Sequence, residues 1–564
     1  MINEGTKAAV RKARKRNAKP HDLPDEHVIV DKRGYVYYYS KAYWDSGEKK
    51  SKDDRVSIGK ICDPGARTFI PNKNYFELFP ELDDAPKIGD ALSIGPYLAL
   101  RKAAAVTGLY QALERSFPDL AAKIFAIATY AICEESMVSY GYDAFAFSNF
   151  AGLGHSISSG SFADIYREIG VDYASRERFH RLYAASYEGW APGGLADRRV
   201  VGFDSTNHGT SAEEMWMAEY GHAKKSRGLP IICSATFADE LTGIPLWRET
   251  FPGSLLDKSQ APFEVEQSAE LGLSKVFLMM DRGYFSEGAI GSLAGGGREF
   301  AISVPETARL AADCMDGSLG IKNSRKHYIE GMDAYGKRID GVAYKGIGGL
   351  HVYVYFDPRT MLSETLRINS VISESKKSIC RDNEYYSESL AERWSKYFRL
   401  VKKSPKAKKS RFTVEETAEV QRELDRAGMF AVVSNAEMEP SQMLRIIRCR
   451  DVPEKTFRRK KWAMDFDAPR VHYVETYEGK EFVAFVAEAS AAALEWIAKG
   501  HLKKTSTKTL REAISRLKTV SVRKKPSGAW TLRYKLGKYQ SDVFKDLDIK
   551  EKEIASTANK VLNV

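Results

Sequence analysis

The first part of the chain changes from strand-like to helix-like patterning. Residues 27–45 alternate β-branched and aromatic side chains around the turn signal Arg33-Gly34, which predicts a small β-meander. From about Ala91 to Gly189, apolar residues recur at the period of a helix on both sides of a Gly/Ser-rich stretch, so we expect a compact helical domain. No stretch matches a helix-turn-helix convincingly, and ordinary helix packing is the default interpretation.

Short apolar runs between residues 199 and 304 predict a buried sheet. Runs of about four to eight residues next to helical patterns are typical of an α/β layer. An amphipathic segment lies between the third and fourth runs, and two of the runs end in an aspartate. The runs are VVGFD, LPIICSATF, GIPLWRETF, KVFLMMD and EFAISV.

Charged, irregular sequence then separates this region from a second α/β stretch. Residues 305–426 contain the basic cluster KKSPKAKKSR and one β-like run, GLHVYVYFD, and we interpret them as an insertion. The α/β pattern resumes at GMFAVVSN, and an alanine-rich helix and a hairpin with Pro-Ser-Gly at its turn follow. The predicted parts are a basic flexible arm (1–22), a small β-rich module (23–85), a helical domain where DNA binding is one expectation (86–196), the first part of the core (197–304), the insertion (305–426), the second part of the core (427–500) and a helical and hairpin region where dimerisation is one expectation (501–564).

Composition narrows the classes of protein. The 564 residues are 43% hydrophobic and 29% charged, and the apolar stretches are short or interrupted by charge, so we expect several domains and no membrane span. The basic first twenty residues lack the apolar core of a secretion signal, and the six cysteines form no CxxC pair, which favours a reducing cytoplasm without structural zinc or disulfides. A net charge of +11 and a pI of about 9.0 weakly favour a polyanionic partner, because neutralising phosphates releases counterions.

Two aspartates follow apolar runs of the predicted core. Asp204 ends VVGFD, and Asp281 ends VFLMMD and is followed by Arg-Gly-Tyr. A carboxylate where a strand opens into a loop is held rigidly and can face a metal. Two such acids can hold divalent ions about 3.5 to 4 Å apart for phosphoryl transfer. Taken alone, Asp204 is more often a helix cap or a turn residue.

A third acid lies between two cations. Arg450, Glu454 and Lys461 are spaced R-x3-E-x6-K, and at about 100° per residue they fall within about 40° on one helix face. Such a face would carry a metal-binding acid flanked by phosphate-binding cations, as in-line attack on a phosphodiester requires. Surface salt bridging is the ordinary alternative. Because Pro453 would cost a helix interior about 3 kcal/mol, we expect a kink or a helix start there.

Together, VVGFDSTN, MMDRGYFSEGAI and the R-x3-E-x6-K set resemble the transposases of the insertion-sequence-4 superfamily. The text AEYGHAKKSRGLPIICSATFADELTGIPLWRETFPGSLLD looks most like the insertion-sequence-1634 group within it, and the likeness spans roughly residues 197–305 and 426–500. The resemblance implies an α/β fold with an RNase H-like catalytic core, a mixed sheet flanked by helices, interrupted by a largely β insertion before the glutamate. It also implies a divalent metal requirement and excision and joining at transposon ends.

Two further points concern the third motif of the superfamily, Tyr-x2-Arg-x3-Glu-x6-Lys. Its tyrosine position is Ile447 here, so a phosphate-contacting hydroxyl is missing. A second set, Tyr385, Glu388, Glu392 and Arg399, has the same spacing but an acid where the arginine belongs. Two carboxylates would repel there and no phosphate clamp would form, so Glu454 is the better candidate.

The resulting hypothesis is a DDE-type DNA transposase. Its catalytic acids and metal ligands would be Asp204, Asp281 and Glu454, which would hold two Mg2+ ions that Mn2+ could replace. Water and then a 3′-hydroxyl would attack phosphorus in line. The predicted phosphate-binding residues are Arg450, Lys461, Arg282, Tyr284 and Asn207.

The predicted partner is double-stranded DNA, both the terminal inverted repeats and the target, bound by a homodimer in the bacterial cytoplasm, at the nucleoid. Two rivals stay open: a domesticated DNA-binding protein without catalysis, and a structure-selective nuclease on the same fold. The presence of all three acids and both clamp cations disfavours the first. Strand transfer of a pre-cut end, rather than cleavage alone, would exclude the second.

Overall fold

The computed structural model consists of two compact units, residues 1–86 and 87–564. Among the described residues, no helix has both the length and the apolar character that crossing a bilayer requires. The structure describes residues 20–562 except 25–26, 46–49, 64, 66, 80–87, 196, 224–227, 256, 269, 271, 273–275, 449–468 and 505–508.

The first unit is an antiparallel sheet with a short helix. Its elements are β1 (His21–Asp22), β2 (Val28–Val30), β3 (Tyr35–Asp45), β4 (Lys50–Asp63), β5 (Thr68–Pro71) and α1 (Lys73–Leu78). The strand order is β1-β5-β4-β3-β2, and Val36, Ile58 and Phe69 are buried in its core. The predicted turn joins β2 to β3, and Gly34 in it has φ +79°, a conformation that favours glycine. The predicted strand pairing of this segment is therefore confirmed.

The second unit begins with a layer of helices, as the helical period predicts. Helix α4 is apolar on nearly every side, and its residues Ile124, Phe125 and Ile127 are fully buried, as expected of a core helix. The elements are β6 (Ala91–Ser93), α2 (Gly95–Val106), α3 (Leu109–Ser116), α4 (Ala121–Glu134), the 3-10 helix Ser139–Gly141, α5 (Tyr142–Ser148), α6 (Ser159–Val171) and α7 (Tyr173–Trp190).

Each apolar run between residues 199 and 304 forms a strand. The strand order in space is β9-β8-β7-β10-β11; β7, β8 and β9 are antiparallel neighbours, whereas β10 runs parallel to both β7 and β11. These elements are β7 (Val200–Gly209), β8 (Ile231–Asp239), β9 (Pro245–Pro252), α8 (Asp257–Ser268), β10 (Phe277–Met280), the 3-10 helix Arg282–Tyr284, α9 (Glu287–Gly295) and β11 (Phe300–Val304).

Part of the region interpreted as an insertion extends the same sheet. Its elements are α10 (Arg309–Asp316), the 3-10 helices Leu319–Ile321 and Arg325–His327, β12 (Tyr328–Ile329), β13 (Ala334–Tyr344), β14 (Ile347–Phe356), α11 (Pro358–Asp382), α12 (Glu388–Trp394), β15 (Phe398–Lys402), β16 (Phe412–Glu416) and α13 (Ala418–Arg426). Strand β17 (Met429–Ser434) pairs with both β14 and β11, which gives the order β12-β13-β14-β17-β11-β10-β7-β8-β9. Strands β15 and β16 form a separate hairpin.

The remaining elements close the second unit. They are α14 (Pro440–Arg448), α15 (Val474–Ile497), α16 (Lys499–Lys504), α17 (Leu510–Leu517), β18 (Ser521–Lys524), β19 (Trp530–Leu532), α18 (Lys538–Asp546) and α19 (Glu551–Leu562). Helix α15 is buried along most of its length against α6; a Cβ at Gly479 would lie 1.7 Å from the carbonyl oxygen of Tyr166, so only glycine permits this approach. The predicted hairpin is β18-β19, and β6 joins it as a third strand.

Candidate active site

Asp204 and Asp281 each follow one member of a residue pair that joins two parallel strands. Strands β7 and β10 are parallel, and their register pairs Phe203 with Met280. The next residue of each chain segment is the predicted aspartate. Because neighbouring strands lie about 4.8 Å apart, the backbones of the two aspartates leave the paired region near each other, at the carboxyl end of β10.

The position of Asp204 corrects one expectation. The strand does not end there but continues to Gly209, since Asp204 to Gly209 pair with β8 from Thr236 to Ile231. On the other side, pairing with β10 stops at Phe203. The polar sequence after Asp204 had indicated a loop, but its backbone is held by β8. Asp204 is therefore a half-buried residue within a strand, at the point where that strand loses one neighbour.

Asp281 lies directly after β10 and caps a 3-10 helix. Its Oδ1 accepts a hydrogen bond from the backbone N–H of Arg282 at 2.7 Å. Its local contact is that of a helix cap. The cap also fixes the carboxylate at the mouth of the sheet, where Asp281 is half-buried.

A cleft of about 540 Å³ opens at this end of the sheet. Its walls come from the carboxyl ends of β10 and β11, the beginning of β17 and the end of α14. The carboxyl ends of parallel strands are where open α/β sheets bind ligands, and the volume is in the range of ligand sites. The lining residues are Asp281, Arg282, Ser303, Val304, Glu306, Phe430, Ala431, Ile447 and Arg448.

The sequence reasoning missed two charged residues of this cleft. Glu306 comes two residues after the end of β11, so the run EFAISVPE repeats the pattern of an acid beyond a strand. The pattern of an acid after an apolar run could therefore have predicted Glu306. Arg448 ends α14 and contacts Asp357 at 3.2 Å. Nothing in its local sequence distinguishes it from the other arginines nearby, and only the fold brings it to the cleft.

The third motif lies outside the described residues. Glu454, Arg450, Lys461 and Pro453 all fall within residues 449–468. The last described residues before this segment, Ile447 and Arg448, line the cleft with Asp281. Within the described ranges, no group of three His, Cys, Asp or Glu side chains is arranged to hold a metal.

Three predicted phosphate contacts can be located. Arg282 is exposed at the cleft and forms no ion pair within the part of the chain that is described. Tyr284 is only 2% exposed and packs against Phe203 with ring centroids 4.9 Å apart. Asn207 is buried, and its Nδ2 donates to the carbonyl of His222 at 3.2 Å. Burial argues against direct phosphate contact by Tyr284 and Asn207, because both side chains serve packing or loop attachment.

A second charged region lies between β9 and α15. The buried Arg248 forms ion pairs with Glu488 and, at 3.6 Å, with Glu481, and its Nε donates to Thr236 at 3.1 Å. Burial lowers the pKa of Arg248, but the two carboxylates outweigh it and the pKa is raised overall. Register places Asp204, Thr236 and Arg248 on one rung of three strands.

This buried ion cluster, which we define as Arg248, Glu481 and Glu488 with Arg176, Glu249 and Glu478, continues towards α7. Arg176 contacts Glu478 at 2.5 Å. Burial, together with Glu478, raises the pKa of Glu249 to about 7. Burial and then Arg176 lower the pKa of the neighbouring His180 to about 3, which keeps that imidazole neutral. The cavity here measures only about 30 Å³.

Similarity to known proteins is found only at the level of structure. No family model matches the chain. No curated protein matches it either. A structure described as a piggyBac transposase synaptic complex with hairpin DNA aligns at a TM-score of 0.36 and 9% identity, over 83% of this chain and 85% of that chain. A likeness at this level assigns neither a family nor an activity.

Proposed function

We propose that this chain is a metal-dependent DNA transposase of the DDE type, similar to the insertion-sequence-4 superfamily and within it to the insertion-sequence-1634 group. The observation that carries the proposal is the register of β7 and β10, which pairs Phe203 with Met280, the residues before Asp204 and Asp281. Two acids far apart in the chain thus follow one pair of strand residues, which supports a shared metal site.

The strand order supports an RNase H-like core. Three antiparallel strands, β7 to β9, are followed by β10 and β11 parallel to β7 on its other side. This arrangement supports a shared site for both aspartates at the carboxyl end of β10. The third acid, Glu454, follows Arg448 by six residues, and Arg448 lines the cleft that Asp281 also lines.

The donor chemistry fits two Mg2+ or Mn2+ ions, because carboxylate oxygens are the hard ligands that these cations take. Asp204, Asp281 and Glu454 would hold them. When bound, such ions supply charge neutralisation at phosphorus and activation of the attacking oxygen. Arg282, Arg450 and Lys461 would bind flanking phosphates, and a homodimer would hold two inverted repeats.

The test uses full-length protein and the DNA that flanks its coding region, which should carry matched inverted repeats. Asp204→Ala should retain end binding and lose strand cleavage in Mg2+. Asp313→Asn, an exposed acid on α10, is the matched control and should cleave normally. Cleavage by Asp204→Ala at the wild-type rate would remove Asp204 from the site. Joining of a pre-cut end to a second duplex distinguishes a transposase from a nuclease.

A further inference from the structure

The hairpin β15-β16 ends in a strongly basic tip. The strands pair in register from Phe398↔Glu416 to Lys402↔Phe412. The basic tip, residues 402–411 (KKSPKAKKSR), contains six Lys or Arg residues and no carboxylate. Surfaces of soluble domains ordinarily intersperse positive and negative charges. A loop that carries six positive charges and no negative one is therefore a candidate binding surface.

The basic tip has a fixed backbone. The amide of Lys403 donates to the carbonyl of Arg411 at 2.8 Å, and the amide of Ala407 donates to the carbonyl of Ser404 at 3.1 Å. Ser410 is buried; its Oγ accepts from the amide of Ser404 at 2.9 Å and donates to the carbonyl of Arg411 at 2.8 Å. These hydrogen bonds hold the backbone of the loop in a defined conformation.

A small apolar core holds the base of the hairpin. Phe398 and Leu400 of β15 are buried against Ile372 and Ile379 of α11 and Val420 of α13. The carbonyl of Ser410 also accepts from the amide of Tyr386 at 2.8 Å. The hairpin therefore has a rigid support on one side, while every residue from 403 to 409 is exposed.

The charges of the basic tip are only partly neutralised. Lys402 lies 4.5 Å from the ring centroid of Tyr386, and Arg411 lies 3.4 Å from Glu384. Lys403, Lys406 and Lys408 form no ion pair or ring contact with any described residue. Three fully solvated cations are thus fixed on one short loop.

We propose that the basic tip binds the phosphate backbone of duplex DNA as a contact separate from the cleft. Neutralising phosphates with solvated lysines releases condensed counterions, which makes such a surface favourable for DNA. A membrane surface fits less well, because the basic tip offers no large apolar side chain to insert. The choice of DNA rests on the proposed function, but the contact does not depend on cleavage.

The test measures binding of a labelled random-sequence duplex by the full-length protein as salt is increased. For Lys403→Ala/Lys406→Ala/Lys408→Ala, the slope of log affinity against log salt should fall by about 2 to 3, since each phosphate contact contributes about 0.9. The matched control, Arg309→Ala/Arg325→Ala/Lys326→Ala, removes the same charge from exposed positions outside the hairpin and should keep the wild-type slope.

An unchanged slope for the hairpin variant would overturn the proposal. So would loss of binding to phosphatidylserine vesicles with the DNA slope intact, which would indicate a membrane surface. The hairpin variant should still cleave DNA at low salt, whereas Asp281→Asn should bind with the wild-type slope and not cleave. If Asp281→Asn cleaves normally while the hairpin slope falls, the proposed function fails and the DNA contact stands.

Discussion

The large sheet carries two charge-rich regions that differ in one decisive respect. At the carboxyl end of β10, Asp281, Arg282 and Glu306 line a cleft of about 540 Å³. Between β9 and α15, the buried ion cluster has more charges in a cavity of about 30 Å³, and Arg248 is there enclosed by Glu481 and Glu488. The first region is an open cleft, whereas the second is closed and its arginines are paired with buried carboxylates.

A shifted pKa and an opening that admits a substrate are therefore separate properties of a charged region. The shifted pKa values of Glu249 and His180 occur in or beside the closed cluster. Shifted pKa values often indicate function, yet a buried structural network produces them equally well. The cleft is the candidate active site because Asp281 follows the paired strands β7 and β10 and because the cleft is open.

The largest expected effect is on catalysis in the cleft. Asp281→Asn should lower the rate of Mg2+-dependent strand cleavage by about 10³-fold or more, since a metal contributes several kcal/mol and about 1.4 kcal/mol is tenfold in rate. Urea unfolding should be nearly unchanged. Normal cleavage by this variant would contradict the assignment of the cleft as the active site.

The next effect is on stability at the buried ion cluster. Arg248→Ala should lower the free energy of unfolding by about 3 to 5 kcal/mol, because it leaves buried carboxylates without their counter-charge. The paired change Arg248→Met/Glu488→Leu should recover much of that loss, as apolar replacement of buried ion pairs often does. Arg309→Ala, 94% exposed, is the control and should cost almost nothing. An Arg248→Ala protein as stable as the wild type would contradict the cluster's structural role.

A smaller effect should appear in the pH dependence of stability. Glu249 has its pKa raised from an ordinary 4.5 to about 7, so between these values the folded protein retains a proton that the unfolded chain has lost. Stability from this group is therefore complete below about pH 4.5 and falls as pH rises to about 7. Glu249→Gln should flatten this part of the profile, by on the order of 1 kcal/mol because the residue is half-buried. Chemical unfolding at several pH values is the measurement, and an unaltered profile would refute the assignment.

The smallest change in rate should come from Ile447, which stands at the cleft wall where the resembled motif has tyrosine. Ile447→Tyr would place a hydroxyl where the resembled superfamily has one, on a residue that lines the cleft. A single added hydrogen bond contributes about 1 kcal/mol, so cleavage should rise by about fivefold. Ile447→Phe adds the ring without the hydroxyl and controls for bulk. Equal rates for the two variants would exclude a role for the hydroxyl.

The apolar runs predicted the five strands β7 to β11 because a strand buried on both faces needs little other signal. Asp281 was foreseeable for the same reason: its run ends where the strand ends. Asp204 misled on one point, since polar residues after it suggested a loop, but β8 supplies hydrogen bonds to that backbone. Local pattern does not report a neighbour strand that comes later in the chain.

Burial is another property that local sequence does not report. Tyr284 and Asn207 are polar residues next to the candidate catalytic motifs, and nothing local reveals that the fold buries them. Arg448 reaches the cleft only through the packing of α14. The buried ion cluster combines residues of α7, β9 and α15, and its acids on α15 look in sequence like an ordinary exposed helix face.

The pairing of β6 with β18 has a consequence for biosynthesis. Leu92 of β6 pairs with Val522 of β18. Strand β6, which precedes the early helices, therefore gains its partner only after β18 has left the ribosome. Because domains ordinarily fold as they emerge, the early helices must stay partly assembled, with apolar surface exposed, for most of translation. Nascent chains halted before residue 521 should recruit holdase chaperones, and release should follow once the strand is made.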